Sequence, residues 1–222
     1  MKLSRTLLAC SLVVAGTSIL LAQDPVKTDP SHYKVLVDNA SVRVLEVNYT
    51  AGAKSLMHSH PDAIIVPLTA SKVRFNTPDG KFTDQDMANE GATCAAAGTH
   101  SPTNMGTGAL RSILIEFKGA GGKAVLPANR ASLTMKPIAE CARATAYRST
   151  ADPAFSEPAG TKHDYDQVVI ALGAAQMSLA IDGKPAKTTW ARGDVQFIGR
   201  GVAHEAKNVG GKAVDFIIVS IK

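Results

Sequence analysis

Six of the 222 residues are histidine, and their placement gives the first indication of chemistry. His58 and His60 are two apart, so on a β-strand both rings leave the same face. His100 follows Gly98-Thr99 after enough chain to bring a second strand beside the first. Three imidazoles converging inside a barrel can hold Fe, Mn, Ni, Cu or Zn and leave positions open for a ligand. A second candidate set is His163, Gln167 and His204. Strand alternation puts His163, Tyr165 and Gln167 on one face and Asp164 and Asp166 on the other. An amide oxygen lacks the charge of a carboxylate, and simple register places Asp164, not His163, at the position of His60. Whether this second set binds metal is therefore open, and His32 matches nothing.

The elements that must position these groups are strands. Val42 to Val47, Ile64 to Leu68, Val73 to Phe75, Ser112 to Phe117, Val168 to Leu172 and Phe216 to Ile221 are short apolar runs bounded by turn residues. Thr77-Pro78-Asp79-Gly80 and Asp182-Gly183 are turns in which Gly accepts a positive φ. The chain is also a tandem duplication. An offset of 104 carries Asp62 onto Asp166, Ile64-Ile65 onto Val168-Val169, His100 onto His204, Asn104 onto Asn208 and Lys118 onto Lys222. Short strands with regular turns, repeated twice, imply an all-β chain with one sandwich or barrel in each half. The boundaries read as an extended N-terminal arm over 23–32, a first barrel over 33–119, a small-residue linker over 120–141 with room for a short helical turn, and a second barrel over 142–222.

These motifs resemble the cupin superfamily, whose first motif is G-x5-H-x-H-x3/4-E-x6-G and whose second is G-x5-P-x-G-x2-H-x3-N. Gly52 leads to His58-Ser59-His60, and Gly91 leads to Ala97-Gly98-Thr99-His100 and Asn104. In the second half Gly193 leads to Gly199-Arg200-Gly201-Val202-Ala203-His204 and Asn208, with Gly199 in place of Pro. The resemblance covers the mature chain and implies two tandem cupin jelly-roll (double-stranded β-helix) barrels, a bicupin. The departures are as informative. Ala63 stands at the first-motif Glu position, with Asp62 beside it on the opposite strand face, and Ala70 replaces the last Gly. In the second half Gln167 takes the Glu position. The first barrel thus offers three His without the usual carboxylate.

Residues 1–22 read as a cleavable export signal: Lys2 and Arg5, an apolar run from Leu7 to Leu21, then cleavage after Ala22. Leu7-Leu8-Ala9-Cys10 is a lipobox-like alternative with too short an apolar stretch before the Cys. A periplasmic or secreted protein is expected, with no stable membrane insertion once the signal is removed. Removing the signal lowers the net charge from +5 to +3, and Lys and Arg never run beyond two, so nucleic acid is not an expected partner. Cys94 and Cys141 remain, either paired or as two separate buried thiols. Asn104 and Asn208 are expected to hold turns, Trp190 to pack in a core, and Glu205 to face solvent. Two functions compete, with a monomer or a homodimer equally admissible. One is a metal-dependent bicupin acting on a small, preferably anionic molecule by dioxygenase- or isomerase-type chemistry. Asp62, Asp164 and Tyr165 are its candidate bases. The other is a non-enzymatic binding or structural cupin whose metal site has decayed.

Overall fold

The computed structural model describes residues 23–222 except 120, 124–126 and 128; the signal segment lies outside the described residues. The first barrel is built from β1 (Tyr33–Asp38), β2 (Val42–Tyr49), β3 (His58–His60), β4 (Ala63–Pro67), β5 (Ser71–Asn76), β6 (Phe82–Met87), β7 (Thr93–Ala95), β8 (Gly98–Asn104) and β9 (Leu110–Phe117). The second uses β10 (Leu133–Glu140), β11 (Ala144–Ala151), β12 (Ser156–Thr161), β13 (Asp166–Ala171), β14 (Ala175–Ile181), β15 (Lys184–Pro185), β16 (Thr189–Trp190), β17 (Val195–Ile198), β18 (His204–Asn208) and β19 (Val214–Ile221). Every pairing is antiparallel. Each barrel has a five-stranded sheet, β1-β2-β9-β4-β7 or β10-β11-β19-β13-β17, and a second sheet, β3-β8-β5-β6 or β12-β18-β14-β15.

Two segments differ from expectation. The arm is not fully extended: Asp24 caps one helical turn, Pro25–Thr28, accepting from the Val26 and Lys27 N–H groups, with Pro25 opening the turn. The linker also contains a strand. In β10 Leu133 and Met135 are buried while Thr134 and Lys136 are exposed, a period-2 pattern that the small residues before it obscured. Met135 pairs with Ser149 as Tyr33 pairs with Val47, so β10 is the counterpart of β1.

The central strands of the five-stranded sheets are buried on both faces. Val42 and Val44 of β2 and Ile113, Ile115 and Phe117 of β9 pack against Ala144, Ala146, Ile217, Val219 and Ile221 in a seam between the barrels. The alternate residues, Leu45, Val47, Tyr49, Leu110 and Leu114, fill the first barrel. Phe216 and Ile218 do the same in the second, with Trp190 edge-on to Phe216. This two-sided burial explains the nearly continuous apolar runs in the sequence. Cys94 on β7 and Cys141 beyond β10 form a disulfide, with Cα atoms 5.7 Å apart. Asp182 and Gly183, at φ 50° and 70°, make the two-residue turn between β14 and β15. Among the described residues no helix is long and apolar enough to cross a membrane.

Candidate metal centres in the two barrels

In the first barrel β3 pairs with β8 so that His58 lies opposite His100 and His60 opposite Gly98. The two-residue spacing sends the His58 and His60 rings inward together, where they meet His100 at centroid distances of 5.2 and 5.3 Å. Each ring brings one nitrogen into a group whose members all lie within 4.8 Å of one another.

Hydrogen bonds fix the rings. His58 Nδ1 lies 2.7 Å from the Leu56 carbonyl, which can only accept, so the proton is on Nδ1. Its Nε2 accepts from the Tyr33 hydroxyl at 2.9 Å, and Tyr33 accepts from Tyr49 at 2.8 Å. His60 Nδ1 lies 2.5 Å from Glu116 Oε1, and Glu116 Oε2 receives Arg43 Nε at 2.5 Å. Arg43 also pairs with Asp24. Glu116 is only 1% exposed; the even-numbered residues of β9 point into the barrel, which turns this acid inward. Burial, then the neighbouring imidazoles, push His58 down to about 4 and His100 down to about 3, keeping both neutral. Against the burial cost, His60 and Arg43 hold the Glu116 carboxyl below its ordinary value.

This donor set suits a divalent ion. The three imidazoles converge, His58 and His100 are neutral, and the far nitrogens of His58 and His60 are tied to a carbonyl and a carboxylate, the outer-shell pattern that orients metal ligands. The adjoining cavity, about 60 Å³, is walled by Val47, Ile65, Val73, Phe75 and Leu114 and also lined by Tyr33, His60, His100 and Ser112. Asn104 holds the loop behind it, donating to the Tyr49, Thr50 and Gly108 carbonyls; Asn208 makes the same three bonds in the second barrel.

The second barrel is built differently. Thr161, not a histidine, lies opposite His204, so the offset at this strand is 103 and His163 takes the place of His60. At the start of β12 the offset is 102: Ser156 lies opposite Lys207, as Lys54 lies opposite Thr103. Two extra residues are taken up between Glu157 and the start of β13, partly in an irregularity of β12. This corrects the simple register that placed Asp164 at the position of His60. It also puts Glu157 where the first barrel has Ser55: Ser55 N–H donates to the Pro102 carbonyl, and Glu157 pairs with Ala206. Glu157 joins His163 and His204 in a group within 4.8 Å, and Gln167 lines a cavity together with Glu157. Arg130 forms an ion pair with Glu157. Although burial opposes ionisation, His163, His204 and Arg130 bring the Glu157 carboxyl far below the usual range. His204 is raised, because Glu157 and the Val202 carbonyl outweigh the effect of burial.

None of the three candidate bases reaches the first-barrel site. Asp62 accepts from the Ala97 N–H at the surface, and Asp164 is exposed in the second barrel. Tyr165 is buried there against His163, ring centroids 4.9 Å apart, and burial raises it to about 12. Tyr33 is the hydroxyl that does reach the histidines. Glu205 is exposed, and His32 stacks on Tyr49 while hydrogen-bonded to Asp29.

No protein-family model matches the chain, and no curated protein matches it in sequence. Solved structures do match. AerE from Microcystis aeruginosa superposes with a TM-score of 0.66 at 13% identity, covering 90% of this chain and 97% of that one. A salicylate 1,2-dioxygenase from Pseudaminobacter salicylatoxidans gives 0.62 at 9% identity, covering 85% and 75%. A cupin 2 conserved barrel domain protein from Leptotrichia buccalis gives 0.55 at 9% identity, covering 86% and 88%. At these identities the likeness is one of fold, and that fold is two tandem cupin barrels.

Proposed function

We propose that the chain is an exported, metal-dependent bicupin that binds a divalent ion on His58, His60 and His100 and acts there on a small organic molecule. The observation that carries this reading is the tethering of His58 Nδ1 to the Leu56 carbonyl and of His60 Nδ1 to Glu116, which turns the other ring nitrogens toward a common point. A bound divalent ion would supply Lewis acidity and, if redox-active, a meeting place for substrate and dioxygen. The protein's own groups do the rest. Glu116 holds the His60 tautomer. Tyr33, backed by Tyr49, offers a hydroxyl beside the histidines, and the apolar wall excludes water. Three neutral imidazoles leave the ion's charge uncancelled, which favours an anionic or enolisable substrate. Dioxygenase- or isomerase-type chemistry fits this set, and the salicylate dioxygenase shares the fold. Export is supported by the signal-like residues 1–22 and by the Cys94–Cys141 disulfide, a bond that persists in oxidising compartments.

The test is metal analysis of untagged mature protein and of His58→Ala and His100→Ala. About one ion per first barrel, lost in both variants, is expected; oxygen-uptake assays with diketones, flavonoids, thiols and keto acids then address the reaction. Sub-stoichiometric metal in the wild type, unchanged in the variants, would leave the non-enzymatic binding module as the better reading.

A further inference from the structure

His204 is 2% exposed, and its Nδ1 lies 3.2 Å from the Val202 carbonyl, which can only accept. The neutral ring therefore presents a lone pair at Nε2, and that buried atom has no hydrogen-bond partner. It faces Glu157 Oε2 at 3.5 Å, while His163 Nε2 stands 3.6 Å from Glu157 Oε1. These separations are too long for hydrogen bonds, which cluster near about 2.9 Å. The His204 separation matches the edge of a coordination polyhedron: two donors each about 2.1 Å from one ion stand about 3.0 Å apart at right angles and about 3.4 Å apart at the tetrahedral angle, and one ligand atom from each of Glu157, His163 and His204 lies within 4.8 Å of the others. We propose that the second barrel binds a divalent cation on Glu157, His163 and His204, independently of the first-barrel site.

The carboxylate has its own origin. It does not stand at the first-motif Glu position, which Gln167 fills, but comes from the place of Ser55 at the start of β12. Glu157 is 8% exposed, and Arg130 grips it through Oε1, fixing the carboxylate while Oε2 faces His204. Two imidazoles and one carboxylate suit Zn(II), Fe(II) or Mn(II), a harder set than three imidazoles. The charge also accounts for the difference between the barrels: a carboxylate beside the ion replaces the one that acts through His60 in the first.

Trp190 gives this site a reporter of its own, being the sole Trp and lining the same cavity as Glu157. The experiment is titration of the chelator-stripped full chain with Co(II), following bound ion by mass spectrometry and Trp190 fluorescence. Two ions per chain are expected, with quenching on filling of the second barrel. His100→Ala loses one ion and keeps the quenching. Glu157→Gln, nearly isosteric, weakens the other ion at least tenfold and abolishes the quenching; His163→Gln does the same from a half-buried position. Retention of wild-type stoichiometry and quenching in either of these two variants, or their absence in the wild type, overturns the proposal.

Discussion

Glu116 separates what the first-barrel carboxylate does for the fold from what it does for the site. Replacing it with Ser leaves Arg43, 17% exposed at its side chain, with Asp24 as its remaining acidic partner in the cluster, and leaves His60 Nδ1 without an acceptor. Breaking a buried pair by removing one partner costs about 3–5 kcal/mol. Asp24 is itself 30% exposed and keeps part of the charge compensated, so the low end, about 3 kcal/mol, is expected. The loss of an outer-shell partner should weaken metal binding about 10- to 100-fold. The second barrel supplies the control. Arg43 lies opposite Glu116, and the corresponding cross-strand pair there is Thr145 opposite Ser220. Copying that pair, Arg43→Thr with Glu116→Ser, removes both charges and should recover about 2 kcal/mol of the lost stability. It cannot restore the acceptor on His60, so metal affinity stays low in both variants. Urea unfolding of metal-free protein reads the first quantity and Co(II) titration the second. Recovery of metal affinity to within twofold in the double variant would refute the reasoning, because the metal defect would then have been only a folding defect.

Three further outcomes follow from the same geometry. Tyr33→Phe removes the donor that occupies His58 Nε2, so the metal-free protein should lose about 1 kcal/mol while metal binds several-fold tighter; weaker binding in a Zn(II) titration would contradict this. His58 and His100 stay neutral when folded, with pKa values near 4 and 3, against about 6.5 unfolded. From pH 6.5 down to 4 the unfolded chain therefore binds more protons, and metal-free stability should fall as pH falls. His204, raised, partly opposes this near pH 6.5, so a urea midpoint no lower at pH 5 than at pH 7 would count against the burial argument. The Cys94–Cys141 bond closes a 47-residue separation, for which chain entropy gives about 4 kcal/mol; a melting temperature unmoved by reductant would disprove a stabilising role.

The first barrel's histidines were legible because a two-residue spacing is read directly on a strand and the second motif anchors His100. The duplication was legible because β4, β8 and β9 keep one offset with β13, β18 and β19. Glu116 was hidden inside the apolar run Ser112 to Phe117, although an acid in a strand buried on both faces is itself a signal. Tyr33 lies on β1, far from the His motifs, and its counterpart Met135 sits in a segment that reads as linker. Glu157 was invisible for a different reason. The 104 offset maps it onto Ala53, and only backbone pairing reveals that two residues are absorbed along β12 and the turn after it.

The seam between the barrels is formed by corresponding strands from each half: β2, β4 and β9 on one side, β11, β13 and β19 on the other. Corresponding strands of the two halves thus face one another, as the same patch on both subunits does in a symmetric homodimer. A single-barrel protein carrying this apolar face would have to cover it with a second copy. Duplication removed that obligation and, with it, the requirement that both halves stay alike. The slipped β12, the migrant carboxylate and the unequal donor sets are differences that an identical pair of subunits could never have acquired separately.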